Sequence, residues 1–327
     1  MTKPSTPASQ VLDRVLVLEM VRVTEAAAIG ASKLIGRGDE KAADAAAVEA
    51  MRAALNELAM DGTVVIGEGE KDEAPMLFNG EIIGGGQPVE WDIAVDPVDG
   101  TSVTASGRAH AISVIAVSDK GTMYNPKDVF YMDKLITRRE GKGVVSLDQS
   151  PEENVRELAK ALKKDVSEIT VAMIDRPRHV EMQNAVRRDG ARTRLFLDGD
   201  VAAGIHAVTG GGNIDMLLGI GGAPEGTITA CATKALNGFM QGRISPQSPE
   251  EMKKAIEAGH DLNRIFGMDD LVKSDNTYFV ATGVTDGLLL DGVQKNGQYL
   301  TTDSIILRSR SGTIRRVKAD YLAARWR

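Results

Sequence analysis

Hydrophobic positions recur at helical spacing early in the chain and at strand spacing through much of the remainder. Leu12, Leu16, Met20, Val23 and Ala27 share one face of a helix predicted over Leu12 to Leu34. Gly36-Arg37-Gly38 breaks that pattern, and Asp39 is a favourable N-cap for a second helix reaching about Leu58. Val48, Met51 and Leu55 form its apolar stripe, with Asp44 one turn upstream on the same stripe and so expected to point inward. Thr63-Val64-Val65-Ile66 predicts a short strand running into the acidic loop Gly67-Glu68-Gly69-Glu70-Lys71-Asp72-Glu73. After another short strand over Ile82 to Gly86 comes Trp91-Asp92-Ile93-Ala94-Val95, a buried strand leading into Asp96-Pro97-Val98-Asp99-Gly100-Thr101. Pro97 cannot extend a ladder and Gly100 permits a tight turn, so this strand is expected to stop where its acids begin.

Further on, His110 to Val117 and Gly121 to Met123 read as an antiparallel pair around Ser118-Asp119-Lys120, and Asp128 to Leu135 as a strand holding Tyr131 and Lys134. A helix over Glu152 to Leu162 is followed by Lys163-Lys164, and the boundary between two α/β halves, residues 1–160 and 161–327, is expected there. The second half alternates strand and helix: Glu168 to Ile174, Arg178 to Arg188, Thr193 to Leu197, Val201 to Val208, Ile214 to Ile220 and Pro224 to Leu236. A helix over Pro249 to His260 and a tail of Gly-punctuated strands from Tyr278 to Val317 complete the chain.

Composition narrows the functions open to such a chain. With 43% hydrophobic and 26% charged residues, 327 residues can bury a large soluble core. A net charge of −7 argues against general nucleic-acid binding, although metals and local cations can still make an anion site in an acidic protein. The one cysteine, Cys231, excludes an intrachain disulfide or a zinc–thiolate cluster and suits a reducing cytoplasm. No stretch reaches transmembrane length without charges, and no signal peptide is visible, so neither membrane nor nucleic acid is an expected partner.

The candidate chemistry lies where strands end. Asp96 and Asp99 repel each other unless a shared proton or a divalent cation intervenes. In the second half, strand ends carry Asp175-Arg176-Pro177-Arg178, Asp198-Gly199-Asp200 and Gly221-Gly222-Ala223-Pro224-Glu225, and ligands of open α/β sheets bind outside such ends. Gly221 and Gly222 leave backbone N–H groups free at a helix start, where Glu225 either complements the helix dipole or marks a metal lying between it and an anion. Asp44, Glu68, Asp96, Asp99 and Glu225 supply oxygen only, which suits Mg²⁺ or Mn²⁺ rather than zinc or copper. Two ions per site would fit metal-assisted hydrolysis of a phosphate ester, with Thr101 orienting the attacking water. Nucleophile-elbow, Walker A and dinucleotide-binding motifs are absent.

Asp96-Pro97-Val98-Asp99-Gly100-Thr101 resembles the metal motif of the lithium-sensitive phosphatase superfamily. Longer stretches resemble the bacterial class II fructose-1,6-bisphosphatase family: Gly36 to Asp44, Val65 to Glu70 with Asp72 to Met76, Arg176 to His179, Asp198 to Ala203, Gly219 to Gly226, Ser274 to Asn276 and Thr313 to Arg316. The resemblance implies a layered αβαβα sugar-phosphatase fold with mixed sheets. It also implies hydrolysis of the 1-phosphate of fructose 1,6-bisphosphate with Mn²⁺ or Mg²⁺, in gluconeogenesis. Carried over by position, Asp44, Glu68, Asp96, Asp99 and Glu225 would hold metal. Asp99, Gly100, Thr101, Tyr131, Arg176, Pro177, Arg178, Asp198, Gly199, Asp200 and Gly222 would contact substrate. Asp72 and Thr101 are candidates for handling the attacking water, with Asp44 as the alternative partner of Thr101. Arg176, Arg178 and Lys134 are the cations available for a second phosphate. Asp99 stands where the family commonly has Glu, Arg176 where some relatives have Lys, and Glu40-Lys41 where a Lys-Asn pair is frequent. The expected substrate is a small sugar bisphosphate, with a seven-carbon bisphosphate, an inositol-phosphate-like monoester or a non-catalytic sensor as alternatives. The expected assembly is a cytoplasmic homo-oligomer, dimer or tetramer.

Overall fold

The computed structural model describes residues 8–69, 76–86, 90–127, 129–210 and 213–326, so Glu70 and the expected site residue Asp72 lie outside the described residues. The first described elements in chain order are α1 (Ala8–Ser32), α2 (Glu40–Asn56), β1 (Asp61–Ile66), β2 (Ile82–Ile83), β3 (Glu90–Asp99), α3 (Thr101–Ala105), β4 (Ile112–Asp119) and β5 (Tyr131–Thr137). Next come α4 (Pro151–Leu162), β6 (Thr170–Ile174), α5 (Val180–Arg188), β7 (Arg192–Phe196), α6 (Val201–Thr209), β8 (Met216–Gly222), α7 (Ala223–Ala235) and β9 (Phe239–Ile244). The last are α8 (Pro249–Glu257), β10 (Phe266–Gly267), α9 (Met268–Leu271), β11 (Thr277–Gly283), β12 (Gln294–Asn296), β13 (Tyr299–Arg308) and β14 (Thr313–Leu322). This is an α/β protein with two mixed sheets. No described helix is long and apolar enough to cross a membrane.

Two compact units divide the chain: Met1–Gly121 with Tyr278–Ile306 and Ile314–Arg327, and Thr122–Thr277 with Leu307–Thr313. The break expected near residue 160 falls inside the second unit, because β5 pairs along its length with β8 and β9, which lie far downstream. Such long-range pairing leaves no local mark in the sequence.

In the first unit the described strands run in the order β12-β13-β11-β4-β3-β1-β2, with β14 on β13. Met20, Val23 and Ala27 of α1 and Met51 and Leu55 of α2 are buried in one cluster with Trp91, Ile93 and Tyr278. The expected Asp39 cap is present, its carboxylate accepting the Ala42 N–H at 2.9 Å. Two expectations change here. β3 does not stop at Asp96 but continues through Pro97 to Asp99, because a register shift between Asp96 and Asp99 lets the strand pass the residue that has no N–H. The pair expected around Ser118-Asp119-Lys120 does not form: β4 lies between β3 and β11, so no edge remains for Gly121 to Met123, and Met123 bridges Val272 instead.

In the second unit the order is β10-β9-β5-β8-β6-β7. β6 pairs in parallel with β7 and β8, and β5 runs antiparallel to β8 and β9. The predicted alternation of strand and helix is therefore real, but β5 and β9 extend it into a mixed sheet. Leu135, Val155, Leu158, Val171, Met173 and Leu218 form its buried core. Asp215, 1% exposed, ties the lower end of this sheet: Arg138 (2.5 Å) and Lys164 (2.6 Å) pair with it, and the Thr170 N–H donates to it at 3.1 Å.

Candidate active site

Within the first unit, parallel pairing of β1 with β3 puts their carboxyl ends at one edge of the sheet. Ile66 lies opposite Ala94, so Glu68 and Asp96 each come two residues beyond that pair. The turn after β1 is tight: a Cβ on Gly67 would stand 1.8 Å from the Leu77 carbonyl oxygen, and the Glu68 N–H donates to the same oxygen at 2.9 Å. At the end of β3 the Asp96 carboxylate accepts the Val98 N–H at 3.0 Å, and Asp99 is buried. Gly100 then takes φ 106, a left-handed value that glycine tolerates without strain, and Thr101 opens α3 directly after it.

The loop before α2 is tied to the far end of that short helix, Gly36 N–H donating to Thr104 O at 3.0 Å and Gly38 N–H to Ala105 O at 2.8 Å. Helix α2, carrying Asp44, therefore starts beside α3, which carries Thr101. Asp44 is half-buried, and desolvation pushes its carboxyl above the ordinary carboxylate range. Backbone register thus brings Glu68 and Asp96 to one sheet edge and connects α2 to α3. Among the described residues, however, no three Asp, Glu, His or Cys side chains are gathered as a ready metal cage.

The second unit builds its part of the candidate set from the ends of β6, β7 and β8 and the start of β5. Tyr131 lies opposite Gly222 in the β5–β8 ladder. The Arg178 guanidinium sits 5.0 Å from the Tyr131 ring centroid and donates to the Ile220 carbonyl at 2.9 Å and 3.2 Å. Arg176 reaches Asp198 at 3.5 Å. Pro177 starts a single helical turn that His179 anchors from below: its Nδ1–H donates to Ile174 O at 2.7 Å, and its Nε2 accepts the Ile220 N–H at 2.8 Å. Both ring nitrogens are engaged in a neutral imidazole, and burial lowers its pKa accordingly. His179 is thus a core residue that fixes the arginine loop.

Beyond β7, Gly199 has φ 69 and carries the chain from Asp198 to Asp200 at the start of α6. Asp200 forms an ion pair with Lys134, whose side chain is 0% exposed and whose ammonium also donates to Gly222 O at 3.0 Å. Lys134 is therefore not a cation held out for a second phosphate, as expected, but an enclosed partner of an acid. Period-two reading of β5 contained the signal, since Lys134 alternates with the buried Met132 and Ile136 and so shares their inward face. Glu225, in the first turn of α7, is half-buried as a residue while its Oε2 atom is enclosed without a hydrogen-bond partner. Burial raises its pKa, Lys134 opposes that rise, and Asp200 adds to it. The Oδ1 atom of Asp200 is likewise enclosed and unsatisfied. An enclosed carboxylate oxygen without a donor is costly unless a cation or a ligand hydroxyl completes it, so Glu225 Oε2 fits a hard divalent ion.

A mixed α/β protein with carboxylates and arginines at its strand ends has the make-up that metal-assisted phosphoryl chemistry requires. The comparison with known proteins is more specific. The chain belongs to the family described as bacterial fructose-1,6-bisphosphatase, glpX-encoded, whose model matches residues 14–321. It is similar to the protein named fructose-1,6-bisphosphatase 1 class 2 from Escherichia coli strain K12, with 42% identity over 319 residues covering 94% of this chain and 95% of that protein. The proteins named fructose-1,6-bisphosphatase class 2 from Escherichia coli O6:H1 and from Shigella flexneri match with the same identity and coverage.

Proposed function

We propose that this chain is a metal-dependent fructose-1,6-bisphosphatase that hydrolyses the 1-phosphate of fructose 1,6-bisphosphate to fructose 6-phosphate and phosphate, a step of gluconeogenesis. The observation that carries the reading is the family match over residues 14–321, with an acid at every position proposed to hold metal. Asp44, Glu68, Asp96, Asp99 and Glu225 are the proposed ligands, and the ion is Mn²⁺ or Mg²⁺, with two or more per site. When bound, such ions screen the charge of the phosphoryl group and acidify water.

The other roles belong to the chain's own groups. Thr101 orients the water's proton towards Asp44 or Asp72, of which Asp72 lies outside the described residues. Arg176 and Arg178, the latter braced on Tyr131 and Ile220, bind the phosphate that is not cleaved. Asp198 and Asp200 accept hydrogen bonds from sugar hydroxyls, while Gly100, Pro177, Gly199 and Gly222 shape the surface against which the sugar lies. Asp99 is both a ligand and a substrate contact. The protein is further proposed to be a cytoplasmic homo-oligomer and a member of the lithium-sensitive superfamily, which predicts inhibition by Li⁺.

Phosphate release from fructose 1,6-bisphosphate, sedoheptulose 1,7-bisphosphate and inositol 1-phosphate, with and without Mn²⁺ or Mg²⁺, tests the reading. Fructose 1,6-bisphosphate should be the best substrate and chelation should abolish turnover. Asp96→Asn should fold normally and lose about 10²–10³-fold in turnover. Equal activity in that variant would remove Asp96 from the site, and tight sugar binding without hydrolysis after metal loading would favour a sensor.

A further inference from the structure

The Lys134 ammonium is the one described cation enclosed with Asp200 and Glu225, and the local backbone is built to admit it. A Cβ on Gly221 would stand 2.1 Å from Asp200 Oδ2 and 2.8 Å from Lys134 Nζ, and one on Gly222 would stand 1.7 Å from Glu225 Oε2. Two consecutive glycines at the end of β8 therefore leave room for an ion pair on one side and an acid on the other. Gly226 adds to the cradle, since a Cβ there would press on Met132 Sδ at 2.9 Å and reach Lys134 Cδ at 3.5 Å. One carboxylate oxygen of each acid is left without a donor. The cluster thus gathers one amine and two carboxyl groups in an enclosed space, with Asp198 as a further acid acting on Glu225.

We infer that Lys134 is a positioning residue that holds Asp200 for the sugar while its fixed positive charge weakens divalent-cation binding at Glu225. This rests on the proposed role of Glu225 as a ligand. A fixed ammonium repels a dication, and little water is present to screen it, so its field acts on any ion bound at Glu225. The same ammonium stops Asp200 from turning towards that ion, because Asp200 Oδ2 is already engaged with it. Asp200 Oδ1, enclosed and without a donor, is then the acceptor left for a substrate hydroxyl to complete. Lys134 thereby divides two neighbouring acids between two tasks: Glu225 for metal and Asp200 for sugar.

The division has an unusual signature. Losing the Lys134 charge should tighten metal binding and loosen substrate binding, whereas general damage to the site would weaken both. The test is calorimetric titration of the full-length wild type, Lys134→Met, Lys134→Arg and Glu225→Gln with MnCl₂, alongside KM for fructose 1,6-bisphosphate. Lys134→Met should bind Mn²⁺ about tenfold more tightly or better, with KM raised about tenfold or more. Lys134→Arg, which keeps the charge, should retain the wild-type Mn²⁺ affinity. If Lys134→Met is too unstable to titrate, its melting temperature should rise more with Mn²⁺ than that of the wild type; an equal or smaller rise overturns the inference. So does Mn²⁺ binding in Lys134→Met no tighter than in the wild type while Glu225→Gln loses it. Unchanged Mn²⁺ binding in Glu225→Gln would overturn the ligand reading itself, and this inference with it.

Discussion

Replacing Gly222 with alanine separates the chemistry of the site from the stability of the fold. Gly222 has φ −66 and ψ 137, values any residue adopts, so the substitution carries no backbone strain. Its steric effect falls almost wholly on one side chain. The new Cβ would lie 1.7 Å from Glu225 Oε2, 2.5 Å from Cδ and 3.0 Å from Oε1, with no backbone atom among the three nearest. Since Cβ atoms do not approach closer than about 3 Å to such neighbours, the carboxylate must retreat by more than an ångström. A glutamate can do so by changing rotamer, so unfolding free energy in denaturant should stay within about 1 kcal/mol of the wild type. A reacting group displaced by about 1 Å loses about 10² in rate, equivalent to about 3 kcal/mol of barrier. The assay pairs denaturant unfolding without added metal with kcat/KM and Mn²⁺ affinity. Activity within threefold of the wild type would refute the placement of Glu225 in the reaction. Destabilisation above about 3 kcal/mol would refute the claim that the clash is confined to a side chain. Gly221→Ala is the informative contrast, because its Cβ meets the Asp200–Lys134 pair and should reduce stability as well as activity.

Asp133, on the opposite face of β5 from Lys134, has its carboxyl pushed up from 3.8 to about 6, chiefly by burial, with Arg243 opposing. A folded pKa above the unfolded one means that the folded state holds the proton longer, so stability is greatest below about 3.8 and falls as pH rises to 6. Asp133→Asn should therefore raise the melting temperature at pH 7.5 but not at pH 4, by up to about 3 kcal/mol in stability terms; an equal effect at both pH values would contradict this. Asp215→Ala should destabilise the second unit by about 3–5 kcal/mol, because Arg138, Lys164 and the Thr170 N–H all lose their partner; a loss below 1 kcal/mol in denaturant unfolding would refute that role. His179→Ala should raise KM about tenfold with a smaller change in kcat, since it frees the loop holding Arg176 and Arg178; a loss confined to kcat would place His179 in the chemistry instead.

Local signals in the sequence were strong where one helix or strand could be judged alone. The stripe from Leu16 to Ala27, the Asp39 cap and the alternation from β6 to α7 each arise from residues close together in the chain. The passage of β3 through Pro97 was not legible, because the register shift that admits proline depends on β4. The position of β5 beside β8 and β9 was equally hidden, as was the unit boundary that results from it. For the candidate site, the strand ends named the acids and arginines, and register explains how Glu68 and Asp96 reach one edge. Lys134 reads as an outward cation in the sequence because a lysine in a strand ordinarily faces water. Only the enclosed Asp200 reveals its partner.

The central claim is that this chain uses a divalent cation to cleave one particular ester bond. ³¹P NMR of fructose 1,6-bisphosphate incubated with the Mg²⁺-loaded protein tests it most directly. The 1-phosphate resonance should disappear while the 6-phosphate remains and inorganic phosphate grows in, with no change under chelation and a change about 10²–10³-fold slower in Asp96→Asn. Loss of the 6-phosphate, or hydrolysis at the same rate with every divalent cation removed, would contradict it.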